Sequence, residues 1–197
     1  MPVAKGAQLD PAQTRAALLA AATRLFYERG LDGIGVAELC AAVGASKETL
    51  YRHFGSKEGL VRAVLEQRSD RVSAWLAEAA LAAGDDPFAR LDAVFTALGR
   101  WYDEPDFRGC AILNAAAQRH EDPARAVAAR HLDRRLQLLT GIAIDAGAAN
   151  PPETGRQLLM LVAGATAVAD HHSEPAAAES ARQAARVLLS SARTAPS

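Results

Sequence analysis

Apolar residues recur every third or fourth position along most of this chain, and the breaks in that rhythm fall at proline, glycine and short polar clusters. From Pro11 to Arg29, Leu18, Ala22, Leu25 and Phe26 keep to the helical period, and Gly30 stands where such a helix ends. Two shorter runs follow. The first is Val36 to Val43, with Gly35 as a weak cap and Glu38 placed as the acidic half of a capping box. The turn Gly44-Ala45 stops it, Ser46 can cap the second, and that run ends near Phe54. Gly55-Ser56 then opens a long periodic stretch through about Ala80. Asp10-Pro11, Asp86-Pro87, Asp122-Pro123 and Asn150-Pro151 each pair a good N-cap with a proline at the next position, where a helix tolerates it. Pro105 and Pro175 lie in polar stretches, and no proline interrupts a periodic segment. With no run of alternating β-branched residues, the pattern predicts an all-α fold of about nine helices. Its amino-terminal domain spans residues 1–60 and a larger helical domain spans 61–197.

Two short helices joined by a glycine turn make a helix-turn-helix. At 100° per residue, residues 47 to 54 place Leu50 and Phe54 on one side, with Lys47 and Tyr51 at its edge. Glu48, Thr49, Arg52 and His53 face the other way. The apolar side suits a small three-helix core with Leu25, Phe26, Leu39 and Val43. The outward side offers groups of the kind that meet phosphates and base edges, and Lys57 stands at the start of the next helix, where backbone N–H groups favour an anion.

Charge narrows what this segment can do. Across 197 residues the formal net charge is -1, so no whole-molecule field draws the chain to nucleic acid or an anionic membrane, and binding must be local. Gly44 to Lys57 carries three cations, Lys47, Arg52 and Lys57, against Glu48. One copy would bind poorly, whereas two copies about a twofold axis double the phosphate contacts and read a palindrome. Aromatics make up only 5% of the chain and alanine is plentiful, which again favours helices. Cys40 and Cys110 lack CxxC spacing, so neither a disulfide framework nor a zinc site is expected. No segment has the apolar length of a signal peptide core or a membrane span, and a cytoplasmic location is expected.

The stretch VAELCAAVGASKETLYRHFGSKEGLVRAV resembles the DNA-binding domain of the TetR family of transcriptional regulators over roughly residues 12 to 65. Gly44, Leu50-Tyr51, Phe54 and Lys57 carry that resemblance. It implies that Lys47, Glu48 and Thr49 match positions reading bases in the major groove, that Tyr51, His53 and Lys57 match phosphate-contacting positions, and that Arg52 does either. Two departures stand out: Gly35 occupies the place of a capping Thr, and Ala37 that of a frequent Arg contact. Specificity is therefore expected to rest on residues 46 to 53, Ser46 included.

In the second half, LLMLVAGATAVA from Leu158 to Ala169 is apolar all round except for Thr166. Such a helix must be buried all round, which predicts one side on its own core and the other on a second subunit, with Ala163, Gly164, Ala165 and Ala167 permitting close approach. The last two periodic runs, about 152–170 and 176–192, are the expected homodimer interface, as the family resemblance also implies. DFRGCAILNAAAQRH sets Cys110, Asn114 and Gln118 at four-residue spacing, and polar groups on an apolar helix need partners. With Trp75, Phe95, Trp101, Phe107 and Met160 they are candidates to line a site for a small apolar or amphipathic effector. The loose resemblance of this segment to effector-cavity stretches of TetR regulators agrees. Asp170, His171 and His172 invite a metal reading, but adjacent histidines point about 100° apart, and neither metal nor cofactor is expected. The expected function is that of a ligand-responsive, homodimeric DNA-binding repressor. The rivals are a small helical enzyme using His120 or His171 as a base, and a constitutive DNA-binding protein.

Overall fold

The computed structural model describes residues 11–30, 33–118, 123–172 and 176–193. Nine helices run through those residues: α1 Pro11–Arg29, α2 Val36–Val43, α3 Lys47–Phe54, α4 Lys57–Ala82, α5 Pro87–Tyr102, α6 Ala111–Gln118, α7 Ala124–Asp145, α8 Pro151–His172 and α9 Ala177–Ser191. An isolated antiparallel bridge, Ala148 with Arg193, is the extent of β pairing recorded among them. The all-α architecture is as the hydrophobic rhythm predicts. Asp10, Asp122 and Pro175 lie outside the described residues. The remaining predicted caps form: Asp86 accepts the N–H groups of Phe88 and Ala89 at 3.2 Å, with Pro87 opening α5, and Asn150 accepts from Glu153 at 3.3 Å ahead of α8.

The chain divides into two compact units, Met1–Arg68 with Ala115–Val127, and Ser69–Asn114 with Ala128–Ser197. The first departs from the sequence-derived limit at residue 60 by taking in the first half of α4 and a segment around the end of α6. In it α1, α2 and α3 pack on one another. Leu18, Ala22, Ile34, Leu39, Leu50 and Leu60 are fully buried at its centre. Val43 and Phe54, expected in that core, are half-buried. Arg15 covers the Phe54 ring from α1 at 5.2 Å and completes its surroundings with a cation–π contact.

In the second unit α9 packs along both α5 and α8. Leu91, Phe95, Leu98, Leu139, Leu158, Val162, Ala185 and Leu189 form the middle of its core. The α7–α8 approach is unusually close: a Cβ on Gly155 would lie 2.2 Å from Thr140 Oγ1. The far ends are tied by polar contacts, since Arg182 on α9 reaches Asp92 on α5 at 3.1 Å and Glu179 at 2.7 Å. Two hydrogen bonds from Arg182 lead, with one from Gln183 following, in holding the Glu179 carboxyl down at about 2. On the opposite side of α8, Met160 (69%) and Val168 (44%) are exposed, with Gly164 and Ala167 beside them, and on α9 Val187 is 69% exposed. Ala165, expected on that outer side, is buried within the chain's own core.

Candidate nucleic-acid interface

Backbone chemistry sets the geometry of α2 and α3. Gly44 adopts φ 68°, a left-handed conformation that L side chains resist, and Ala45 donates back to the Cys40 carbonyl at 2.9 Å. Helix α2 thereby ends in time for Ser46 to open α3. Ser46 Oγ accepts the Thr49 N–H at 3.0 Å and lies 2.9 Å from the Thr49 hydroxyl. Glu38 does not complete a capping box, because Gly35 receives no side-chain cap. Its carboxylate instead meets Arg29 Nη1 at 2.6 Å, joining the end of α1 to α2.

With Leu50 alone fully buried, α3 presents the rest of its surface. Ser46, Lys47, Glu48, Tyr51 and Arg52 are exposed, and Tyr51 is 45% accessible despite its aromatic ring. Thr49, His53 and Lys57 are half-buried, so the outward set predicted from the helical wheel is narrower than expected, and Tyr51 belongs to it. Thr49 is partly covered, its hydroxyl lying beside the exposed Ser46 cap. Arg52 Nη2 stands 3.4 Å from Glu48, an exposed pair that water and salt weaken, which leaves its charge available. The junction to α4 carries a constraint that periodicity did not show. Ser56 Oγ caps Gly59 N–H at 3.0 Å, and a Cβ on Gly59 would sit 1.9 Å from the Phe54 carbonyl oxygen. Only glycine lets α4 start so close behind α3. Burial raises the Cys40 thiol above its ordinary range, with Lys47 pulling the other way, which marks Cys40 as core packing.

The second unit brings together some of the proposed effector residues and disperses others. Trp75, Trp101, Phe107 and Tyr102 form an aromatic group: Trp101 meets Trp75 edge-on at 6.5 Å and Phe107 at 4.9 Å, and Phe107 lies 5.1 Å from Tyr102. Phe95 is buried in the core. Cys110 is buried in the turn before α6, its Sγ 3.7 Å from His131 Nε2, while His131 Nδ1 lies 3.0 Å from Ser69 Oγ. Asn114, Gln118 and Met160 do not join them. Asn114 is exposed and donates to the Arg108 carbonyl at 2.8 Å, Gln118 is exposed in the other unit, and Met160 faces out. Sequence reasoning missed the buried polar groups Ser69, Tyr102, His131 and Arg135. The signal lay in α7, where His131 and Arg135 keep the spacing of the buried Ala124, Ala128 and Leu139. His171 and His172 are exposed at the end of α8, no metal-holding group of three His, Cys, Asp or Glu occurs among the described residues, and His120 lies outside them.

A glycine-turned pair of short helices on a three-helix core, with an exposed and partly basic second helix, defines a DNA-binding protein of the helix-turn-helix class. Residues 18–64 match the family described as bacterial regulatory proteins, tetR family. The same region is 45% identical over 60 residues to the HTH-type transcriptional repressor ComR of Escherichia coli, covering 30% of this chain and 29% of that one. It is 38% identical over 68 residues to the HTH-type transcriptional activator FasR of Mycolicibacterium smegmatis, covering 34% and 31%. These matches span less than a third of either relative's length. Across the whole fold, the structure of a Streptomyces avermitilis protein assigned to the TetR regulators is 32% identical, with a TM-score of 0.78, covering 91% of this chain and 97% of that one. The chain belongs to the TetR family of transcriptional regulators.

Proposed function

We propose that the protein is a cytoplasmic, homodimeric repressor that binds a palindromic operator and leaves it when a small amphipathic effector enters the second unit. The observation that carries DNA reading is the exposed surface of α3: Lys47, Glu48, Tyr51 and Arg52 around a fully buried Leu50. In this reading Lys47, Glu48 and Thr49 meet base edges, Ser46 positions them, and Tyr51, His53 and Lys57 hold phosphates, with Arg52 free for either. In this reading residues 1–60 form the DNA-binding part and residues 61–197 the effector and dimer part. The uncovered apolar side of Met160, Gly164, Ala167 and Val168 on α8, together with Val187 on α9, supports a dimer built from those two helices.

Repression is the sign carried by the ComR likeness, whereas FasR is named an activator, so position decides: a repressor's site overlaps the promoter it controls. Effector release follows from linkage, the ligand binding better to the conformer that holds DNA poorly. The test is selection of the purified full chain against a random duplex pool at two salt concentrations. An enriched palindrome, weakened by salt and lost in Lys47→Ala and Tyr51→Ala, supports the reading. Failure of a folded dimer to enrich any sequence overturns it.

A further inference from the structure

Arg135 lies on α7 one helical turn beyond His131 and is 3% exposed. None of its three guanidinium nitrogens has a hydrogen-bond partner, and no ion pair engages it among the described residues. A guanidinium cannot shed its charge by deprotonation, so an orphaned one in a protein interior is among the costliest groups a fold can hold. Thr166 Oγ1 donates to the Val162 carbonyl at 2.8 Å, so the 2.8 Å contact between Tyr102 and Thr166 must use the Tyr102 proton. The Tyr102 oxygen is left with lone pairs only. Burial pushes the Tyr102 phenol above its ordinary range, the Thr166 hydrogen bond and the nearby Arg135 charge both opposing that shift. Tyr102 in turn touches the aromatic group of Phe107 and Trp101. A buried, unpaired cation thus acts on a phenol whose ring packs on Phe107 and Trp101.

We propose that Arg135 is the anchor of the effector site and that the effector is a monocarboxylate with an apolar body, its carboxylate on the guanidinium and its body against Trp101 and Phe107. A carboxylate matches the planar fork of one guanidinium with two parallel hydrogen bonds and cancels its single charge, whereas a phosphate dianion would need a second cation. The inference deepens the ligand-responsive reading and rests on it. The direct test measures binding of 3-phenylpropionate and octanoate to the full-length protein, against their uncharged amides and inorganic phosphate, by quenching of tryptophan fluorescence. Release of the selected operator is followed in parallel. The expected result is that the carboxylates bind about tenfold to a hundredfold more tightly than the amides. That ratio falls to about one in Arg135→Met, whose unliganded melting temperature rises as the unpaired charge is removed. Should Arg135→Met not fold, Arg135→Gln serves the same comparison. Equal binding of acid and amide, or binding of phosphate alone, overturns the proposal. Release of DNA by the amides and not by the acids also overturns it but leaves the ligand response standing. Tight carboxylate binding without any release keeps this site and removes the ligand-responsive reading.

Discussion

Leu50→Ala isolates what holds α3 in place. Leu50 is the one buried residue of α3, at 0% exposure, and a helix of eight residues does not persist in water by itself. The change removes three carbons, about 2.4 kcal/mol of transfer free energy at ~0.8 kcal/mol each. The cavity left among neighbours that relax only in part raises the loss to about 3 kcal/mol. That is somewhat over a hundredfold in the folded-to-unfolded ratio of the unit concerned, and it lowers a guanidinium chloride midpoint by about 1 M. Both tryptophans, Trp75 and Trp101, fall in the second compact unit, so indole emission reports that unit alone while far-UV circular dichroism reports all the helices. The variant is expected to show an early dichroism phase at unchanged emission, with DNA binding lost over the early phase. Coincident curves that move together would refute the reasoning, because the two units would then unfold as one.

Gly59→Ala should disorder the α3–α4 junction, since its Cβ would meet the Phe54 carbonyl at 1.9 Å; a loss of about 1–3 kcal/mol is expected in the same dichroism phase, and a neutral result would show that the junction yields. Gly141 on α7 has open space where a Cβ would go, so Gly141→Ala should stabilise the protein by about 0.5–1 kcal/mol, read as a raised thermal midpoint. Glu179, held at about 2 against an ordinary 4.5, contributes stability fully above about pH 4.5 and loses it as pH falls towards 2. The melting-temperature gap between wild type and Glu179→Gln should therefore close over that interval, and it should shrink in high salt because the pair is exposed. Met160→Asp combined with Val187→Asp should convert a dimer to a monomer in light scattering while the helical dichroism is retained.

The helix limits were legible because proline and glycine punctuate this sequence by sterics alone: Gly44, with its positive φ, could end α2 and Pro87 could open α5 whatever packed against them. The start of α3 was legible for the same reason, since Ser46 fixes where that helix begins. The effector candidates were less so. The four-residue spacing of Cys110, Asn114 and Gln118 has meaning only within one helix, and Cys110 precedes α6, after Gly109 turns the chain at φ 68°. Met160 sits in an apolar run whose two sides look alike by letter, and only packing shows which side the chain itself covers. Arg135 escaped notice because arginine is outward by default, although its place in the α7 stripe of Ala128, His131 and Leu139 was in plain view.

The contact of Gly155 with Thr140 also governs how α8 can move. A helix whose glycine backbone is pinned against the Thr140 side chain resists sliding along α7 and swings more readily about the pinned point. From Gly155 to His172 is roughly 26 Å at ~1.5 Å per residue, so a tilt of about 5° carries the far end by some 2 Å while Gly155 stays put. The pinned end acts as a fulcrum, and Thr166 and Asp170 ride on the long arm of the lever.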